Sequence, residues 1–211
     1  MRQNIIMKWS FLFAIFLLFS YPAIAQNVYE KNGNIFLSDN KGNKTQLTFN
    51  GNNSSPILSP DSNFIAFVHK ASGPAISTGG GDATPTELWI VNLSTKKAEN
   101  ILPPINKEDR RHVLPGITDV QFSNDSRTIF FLAAEWAVSN AVHKISLLTK
   151  KESLVAPGNT LEVIRNGKYK GNLKVNQHRY HKGDGSYDCD YILTPDGKEV
   201  TVLKDSCDPN E

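Results

Sequence analysis

Ser59-Pro-Asp-Ser-Asn-Phe-Ile-Ala-Phe67 and Ser123-Asn-Asp-Ser-Arg-Thr-Ile-Phe-Phe131 are one pattern written twice. Each follows a short apolar stretch and leads into a longer one. Between them lies a polar turn whose Asp can accept hydrogen bonds from neighbouring backbone donors. The likeness extends further along the chain. Leu88-Trp-Ile-Val-Asn-Leu-Ser-Thr-Lys-Lys97 matches Val142-His-Lys-Ile-Ser-Leu-Leu-Thr-Lys-Lys151. A four-strand unit therefore spans 56–102 and recurs at 119–155. Residues 161–203 form a third unit of the same length, and 28–48 read as the later strands of a further one. A single four-stranded unit cannot bury both of its faces, so such units must stack on one another.

The texture between these landmarks is all-β. Short runs rich in Val, Ile, Phe, Tyr and Leu alternate with Asn, Gly, Asp, Ser and Pro. Strands are expected at 28–30 and 34–38 around Lys31-Asn32-Gly33, a strong hairpin signal. Others are expected at 45–48, 56–59, 64–69, 87–93, 98–102, 119–123, 128–133, 142–148, 152–155, 161–165, 172–178, 187–193 and 199–203. No stretch after residue 25 keeps an apolar i, i+3, i+4, i+7 spacing between caps. Residues 132–142 come closest and are read as a strand end and a loop.

These units resemble the TolB-type, WD40-like propeller repeat. In that repeat a short strand leads to a Ser-Pro-Asp-Gly turn and an apolar strand, and the unit ends on a Gly-x-x-x-Leu-Thr segment. Pro56-Ile-Leu-Ser-Pro-Asp-Ser-Asn-Phe-Ile-Ala-Phe67 matches best, and Asn34-Ile-Phe-Leu-Ser-Asp-Asn-Lys-Gly-Asn-Lys-Thr-Gln-Leu-Thr48 matches the preceding strand–turn–strand. The second unit departs with Asn124 in place of Pro. The third carries its Thr194-Pro-Asp-Gly197 at the turn between its third and fourth strands. The resemblance covers about 28–155 well and 156–211 weakly. It implies a blade-type fold, here a small or partial β-propeller of three to four four-stranded antiparallel blades. It also implies a docking role, because TolB-like proteins serve as docking surfaces in the bacterial envelope. A closed ring usually has about 4–8 blades. Either the N-terminal strands complete a four-bladed ring, or the array is open. Two copies pairing into a ring would cover the edges of an open array.

The N-terminus carries an export pattern. Arg2 and Lys8 precede an apolar run from Trp9 to Ser20, then Tyr21-Pro22 and the small-x-small site Ala23-Ile24-Ala25. The run is shorter than the roughly 20 apolar residues a spanning helix needs. A cleaved signal peptide at 1–25 is expected, with one propeller-like domain at 26–211, no membrane span in the mature chain, and a periplasmic or secreted location. The signal holds two basic and no acidic residues, so the mature chain keeps 21 Lys and Arg against 21 Asp and Glu. A chain of zero net charge has no broad field to attract nucleic acid, which is therefore not expected as a partner. An oxidising compartment would allow Cys189 and Cys207 to pair and tie the last strand to the tail; geometry decides whether they do.

Three regions are candidate sites. The richest runs from Asn176 to Asp190 and holds His178, Tyr180, His181, Asp184, Asp188 and Asp190. As a hairpin it would place Tyr187, Cys189, Tyr191 and Leu193 on the buried face, with Asp188 and Asp190 on the other. His178 and His181 differ in parity on a strand, which argues against a shared metal ion. The insertion 70–86, with Ser72, Thr78 and Asp82, would lie at a propeller rim where binding groups concentrate. Its Gly79-Gly80-Gly81 lacks the Gly-Lys-Ser/Thr of a phosphate loop. The insertion 103–115 carries Lys107-Glu-Asp-Arg-Arg-His112, of mixed sign. No nucleophile motif occurs, and no catalytic residue, cofactor or metal is assigned. The expected function is non-enzymatic binding of an envelope protein or other macromolecule. The competing expectation is a propeller acting on a small molecule or sugar, with or without a divalent ion.

Overall fold

The computed structural model describes residues 26–39, 41–102, 115–135, 139–183 and 185–207. The export pattern at 1–25, the charged insertion at 103–114, residues 136–138 and Asp184 lie outside them. No α-helix occurs among the described residues; strands and turns make up the fold. Among the described residues the one helical feature is a 3-10 turn, Lys204–Ser206.

Among the described residues seventeen strands follow one another. A three-stranded sheet comprises β1 (Asn27–Lys31), β2 (Asn34–Ser38) and β3 (Lys44–Gln46). The second sheet has β4 (Asn53–Leu58), β5 (Phe64–Lys70), β8 (Thr86–Asn92) and β9 (Lys97–Leu102). Inside its long loop lies a separate hairpin of β6 (Ile76–Thr78) and β7 (Gly81–Ala83). The third sheet has β10 (Thr118–Phe122), β11 (Thr128–Ala134), β12 (Asn140–Ser146) and β13 (Glu152–Pro157). The fourth has β14 (Thr160–Val163), β15 (Leu173–Tyr180), β16 (Ser186–Leu193) and β17 (Glu199–Leu203). Every sheet is an antiparallel meander in chain order, the topology of a propeller blade.

The expected strands appear with small shifts. The fourth-strand segment expected at 45–48 ends at Gln46, because the Thr48 side chain leaves the ladder to accept a hydrogen bond from the Ile35 N–H at 2.9 Å. The strand expected at 56–59 begins earlier, at Asn53. A bulge between Ser54 and Ile57 accommodates Pro56.

The sheets pack face to face through their alternating apolar side chains. Ile35 and Leu37 of the first sheet meet Ile65, Phe67 and Val91 of the second. Ala66, Val68, Leu88 and Ile90 on its other face meet Ile129, Phe131 and Ile145 of the third. Phe130, Leu132 and Val142 then meet Leu161, Leu173, Val175 and Tyr191 of the fourth. The first strand of each later sheet (β4, β10, β14) packs on the sheet before it. Among the described residues no strand of the last sheet pairs with one of the first, so the array is open: a partial propeller.

Repeated hydrogen bonds hold the turns. In the second sheet the Asp61 carboxylate accepts from the Ser59 hydroxyl at 2.6 Å and from the Asn63 N–H at 3.1 Å, while Ser59 Oγ accepts from the Phe64 N–H. In the third, Asp125 accepts from Ser123 at 2.6 Å and from the Arg127 N–H at 3.1 Å, and Ser123 Oγ accepts from the Thr128 N–H. Burial raises the Asp61 pKa, but the bonds from Ser59 and Asn63 outweigh it and hold the carboxyl below its ordinary value. The Ser123 hydroxyl and the Arg127 N–H do the same for Asp125. Both aspartates are thus turn-builders. The two turns are also joined, since the Asp61 N–H donates to Ser126 Oγ at 3.1 Å.

Candidate functional site

Strands β15 and β16 are longer than the strands that flank them. β14 pairs with β15 only as far as Asn176, and β17 pairs with β16 only from Asp190 onward. Past these points, β15 and β16 pair with each other alone, from Gln177↔Cys189 to Tyr180↔Ser186. The hairpin therefore continues as a two-stranded arm beyond its own blade. Gly185 helps the chain reverse between them: it takes φ 90°, a value that side-chain-bearing residues avoid.

The root of the arm is fastened on three sides. Cys189 is bonded to Cys207. The Asp190 N–H donates to Ser206 Oγ at 2.9 Å, and the Gln177 side-chain amide donates to the Pro157 carbonyl at 2.7 Å. Arg179 adds a further strut. Its guanidinium lies 3.8 Å above the Tyr191 ring and donates to Gln177 Oε1 and to Glu199 Oε2. Burial is the main cause that pushes the Tyr191 phenol above its usual pKa.

Alternation along the two strands sorts the candidate residues. His178 and Asp188 face each other, with Nδ1 and Oδ1 3.1 Å apart. Tyr180 packs edge-on against His178 at 5.1 Å and is 69% exposed. Asp190 lies on the same face nearer the root, where it accepts from Asn176 Nδ2 at 3.1 Å and pairs with Lys174 at 2.9 Å. The carboxylate in turn raises the Lys174 pKa. His181 has turned away from His178, and its ring tilts against Tyr187 at 4.7 Å. The two histidines thus go to different partners, and among the described residues no group of three His, Cys, Asp or Glu side chains gathers as a metal site. Cys189, Tyr191 and Leu193 are buried against the third sheet, with Tyr187 packed on them.

Ser72, Thr78 and Asp82 are far less concentrated. Ser72 is in an exposed bend. Thr78 serves its own turn, its hydroxyl donating to the Gly81 carbonyl at 2.7 Å. Asp82 stands opposite Ser77 in the β6–β7 hairpin. This hairpin is ordered by its own ladder, although its Ser, Thr, Gly and Asp content gave no strand signal.

One cluster escaped the sequence reading. His143 is buried, with Nδ1 2.6 Å from Glu152 Oε1 and Nε2 3.2 Å from Glu135 Oε2, and its ring stacks on Phe131. Two carboxylates on one imidazole can both be satisfied when the ring donates from both nitrogens. The available signal was the repeat itself, which aligns His143 with Trp89. Trp89 likewise stacks on Phe67 and donates to Glu87 Oε2 at 2.6 Å.

No protein-family model and no curated protein matches the sequence. Solved structures do match by shape. TolB from Acinetobacter baumannii aligns with a TM-score of 0.50 at 17% identity, over 80% of this chain and 37% of that one. The β-propeller domain of the Trilobed protease from Pyrococcus furiosus, described as having an open velcro topology, aligns at 0.55 and 16% identity, over 81% and 48%. Oligogalacturonate lyase from Vibrio parahaemolyticus aligns at 0.51 and 15% identity, over 81% and 42%. The chain thus spans less than half the length of each of these structures. Such low identities speak for architecture and not for activity: the chain has the fold of the β-propellers, TolB among them, in the form of an open run of blades.

Proposed function

We propose that the protein is an exported docking module, with residues 26–211 as one propeller-like domain behind a signal peptide at 1–25, and that it binds an envelope protein in the periplasm through the β15–β16 arm. The observation that carries this reading is the arm itself. A hairpin that outruns both neighbouring strands, braced at its root and tipped with exposed Tyr180 and His181, offers an aromatic, polar contact surface on a rigid base. Tyr combines a large apolar face with a hydrogen-bonding end at low entropic cost, which suits it to protein contacts. His178 and Asp188 supply a polar flank to the same face. The balanced charge of the mature chain fits a protein partner better than nucleic acid.

The test is in-cell cross-linking of the tagged protein, read by mass spectrometry, beside a Tyr180→Ala/His181→Ala variant. Both side chains are exposed, so the variant keeps the fold. One dominant envelope partner is expected, with recovery reduced about tenfold or more in the variant, as for loss of a central aromatic contact. Equal recovery from the two proteins would sink the arm as the docking element.

A further inference from the structure

Asn124 stands where the first unit of the repeat has Pro60, and its side chain reaches across to the last blade. Nδ2 donates to the Ile164 carbonyl at 3.1 Å, and Oδ1 accepts from Nη1 of Arg165 at 2.9 Å. The Ile164 carbonyl also accepts from the Gly171 N–H at 2.9 Å, which closes the loop between β14 and β15. Asn124 thereby fixes both this loop and the Arg165 guanidinium at its base. The bond to Asn124 uses only part of the donor set that a guanidinium carries.

The corresponding turns of the two preceding blades each hold an Asp, Asp61 and Asp125, and this loop holds none. From residue 163 to residue 183 the chain has Arg165, Lys168, Lys170, Lys174, Arg179 and Lys182, with no Asp or Glu among them. Two of these cations have carboxylates: Lys174 pairs with Asp190 at 2.9 Å and Arg179 with Glu199 at 3.0 Å. Among the described residues Arg165, Lys168 and Lys170 pair with no carboxylate; Lys168 lies 5.0 Å over the Tyr169 ring. The nearby acids are engaged elsewhere, Asp61 and Asp125 in their own turns, Asp196 with Lys144 and Glu99 with Lys150. Beyond residue 100, every point at which the described chain breaks off (Leu102, Glu135, Gly183 and Cys207) lies at the other end of the strands, and residues 1–25 contain no Asp or Glu. Arg165 is half-buried, and burial pushes its pKa down, whereas the bond to Asp190 raises that of Lys174. Holding a cation partly out of water beside one neutral partner is unfavourable, and Asn124 and the loop hold it there.

We infer that Arg165, flanked by Lys168 and Lys170, is the centre of an anion-binding site for an oxyanion group that offers two oxygens from one atom, a carboxylate or a phosphate. With Nη1 on Asn124, the Nε–H and Nη2–H edge of the guanidinium forms the two-pronged fork that matches such a group. The lysines are both exposed and add positive charge on flexible stems without fixing the geometry. The loop is at the opposite end of the strands from the tip of the β15–β16 arm, so the site and the docking role of the arm stand or fall separately.

The test is a titration of the purified protein with sodium phosphate and, separately, with sodium citrate, each against sodium chloride of equal ionic strength. The readout is the NMR shift of the Gly167 and Gly171 amides and of the Arg165 Nε–H. Saturable shifts are expected with the oxyanions and not with chloride. Arg165→Lys keeps the charge and loses the fork, and it should weaken binding at least about tenfold. Lys168→Gln/Lys170→Gln changes only exposed side chains, so it keeps the fold, and it should weaken binding about tenfold. Saturation by phosphate alone or by citrate alone assigns the site to that chemistry, and saturation by both assigns it to oxyanions of either kind. Shifts that chloride reproduces, or saturation that both variants leave unchanged, would overturn the site and leave Arg165 as a clasp between blades.

Discussion

Ser62 and Ser126 hold the same unfavoured backbone conformation, with φ of 59° and 61°. They occupy the place where the repeat this chain resembles carries Gly, and Gly reaches positive φ without the clash a Cβ brings. The two positions nevertheless respond differently to substitution. Ser62 is exposed, and its side chain makes no contact on which the turn depends. Ser62→Gly should raise stability by about 0.5 kcal/mol, the strain relieved less the entropy a glycine adds to the unfolded chain, or roughly 1–2 °C in Tm. Ser126 is buried, and its hydroxyl accepts the Asp61 N–H from the neighbouring blade. Ser126→Gly relieves the same strain and loses that bond, about 1 kcal/mol, so it should come out about 1 kcal/mol less stable than Ser62→Gly. Thermal unfolding of the two variants side by side checks the difference; equal shifts would mean that the bridge carries no energy. The aspartates of these turns were legible as turn-builders, because Asp at a Ser-x-Asp turn has an evident local use. The bridge between turns was not, since residues 61 and 126 meet only once the blades stack. The carboxylates around His143 were hidden for a different reason: Glu135, His143 and Glu152 belong to one sheet and meet only through the register of its strands.

The arm depends on its root, and the root depends on the bond between Cys189 and Cys207. That bond joins β16 to the 3-10 turn that follows β17, across a separation of 18 residues. Closing a loop of this length removes about 3 kcal/mol worth of unfolded-state freedom. Reduction, or a Cys189→Ala/Cys207→Ala variant, should therefore lower Tm by roughly 5–10 °C. It should also speed amide exchange in Ser186–Leu193 more than in Phe64–Lys70, which lies in the second sheet, outside the cluster that holds the two cysteines. Uniform loosening of both strands would show that the bond serves the whole fold and not the arm. Most elements of this kind could be read from sequence, because β-branched and aromatic runs between Gly, Asn, Asp and Pro turns carry the strand signal locally. Asn34–Ser38 and Glu199–Leu203 match their expected bounds. The β6–β7 hairpin was invisible, since its strands are only three residues long and Gly-Asp-Ala has little strand preference. The overhang of the arm was invisible too. It depends on where β14 and β17 stop pairing, and no local signal marks those points.

At the scale of the whole molecule, the two ends of the array are unlike. The first sheet presents Tyr29 and Phe36 outward. The outer face of the last sheet carries Glu162, Lys174, Asn176, His178, Asp188 and Asp190, with exposed Tyr180 at the arm, part-buried Leu203 beside Asp190, and Ile192 the one buried apolar residue among them. Between blades, by contrast, both facing surfaces are Ile, Leu, Val and Phe. The last sheet therefore has the polar outer face of a terminal repeat. Two copies closing into a ring would press this face onto the aromatic end of the partner and take the Lys174–Asp190 and His178–Asp188 pairs out of water. Removing paired charges from solvent costs more than an aromatic contact of this size returns unless every lone pair is met. The pairing of copies expected from the low blade number is thus opposed by the composition of the end that would have to form it, and sedimentation at micromolar concentration should give the mass of a single chain. A Lys174→Leu/Asp190→Leu variant makes that face resemble the buried ones, and it should shift the protein toward dimers. If the unmodified protein already sediments as a dimer, the polar face is compatible with closure, and the blade end carrying Tyr29 and Phe36 then has a second copy of this chain as its partner.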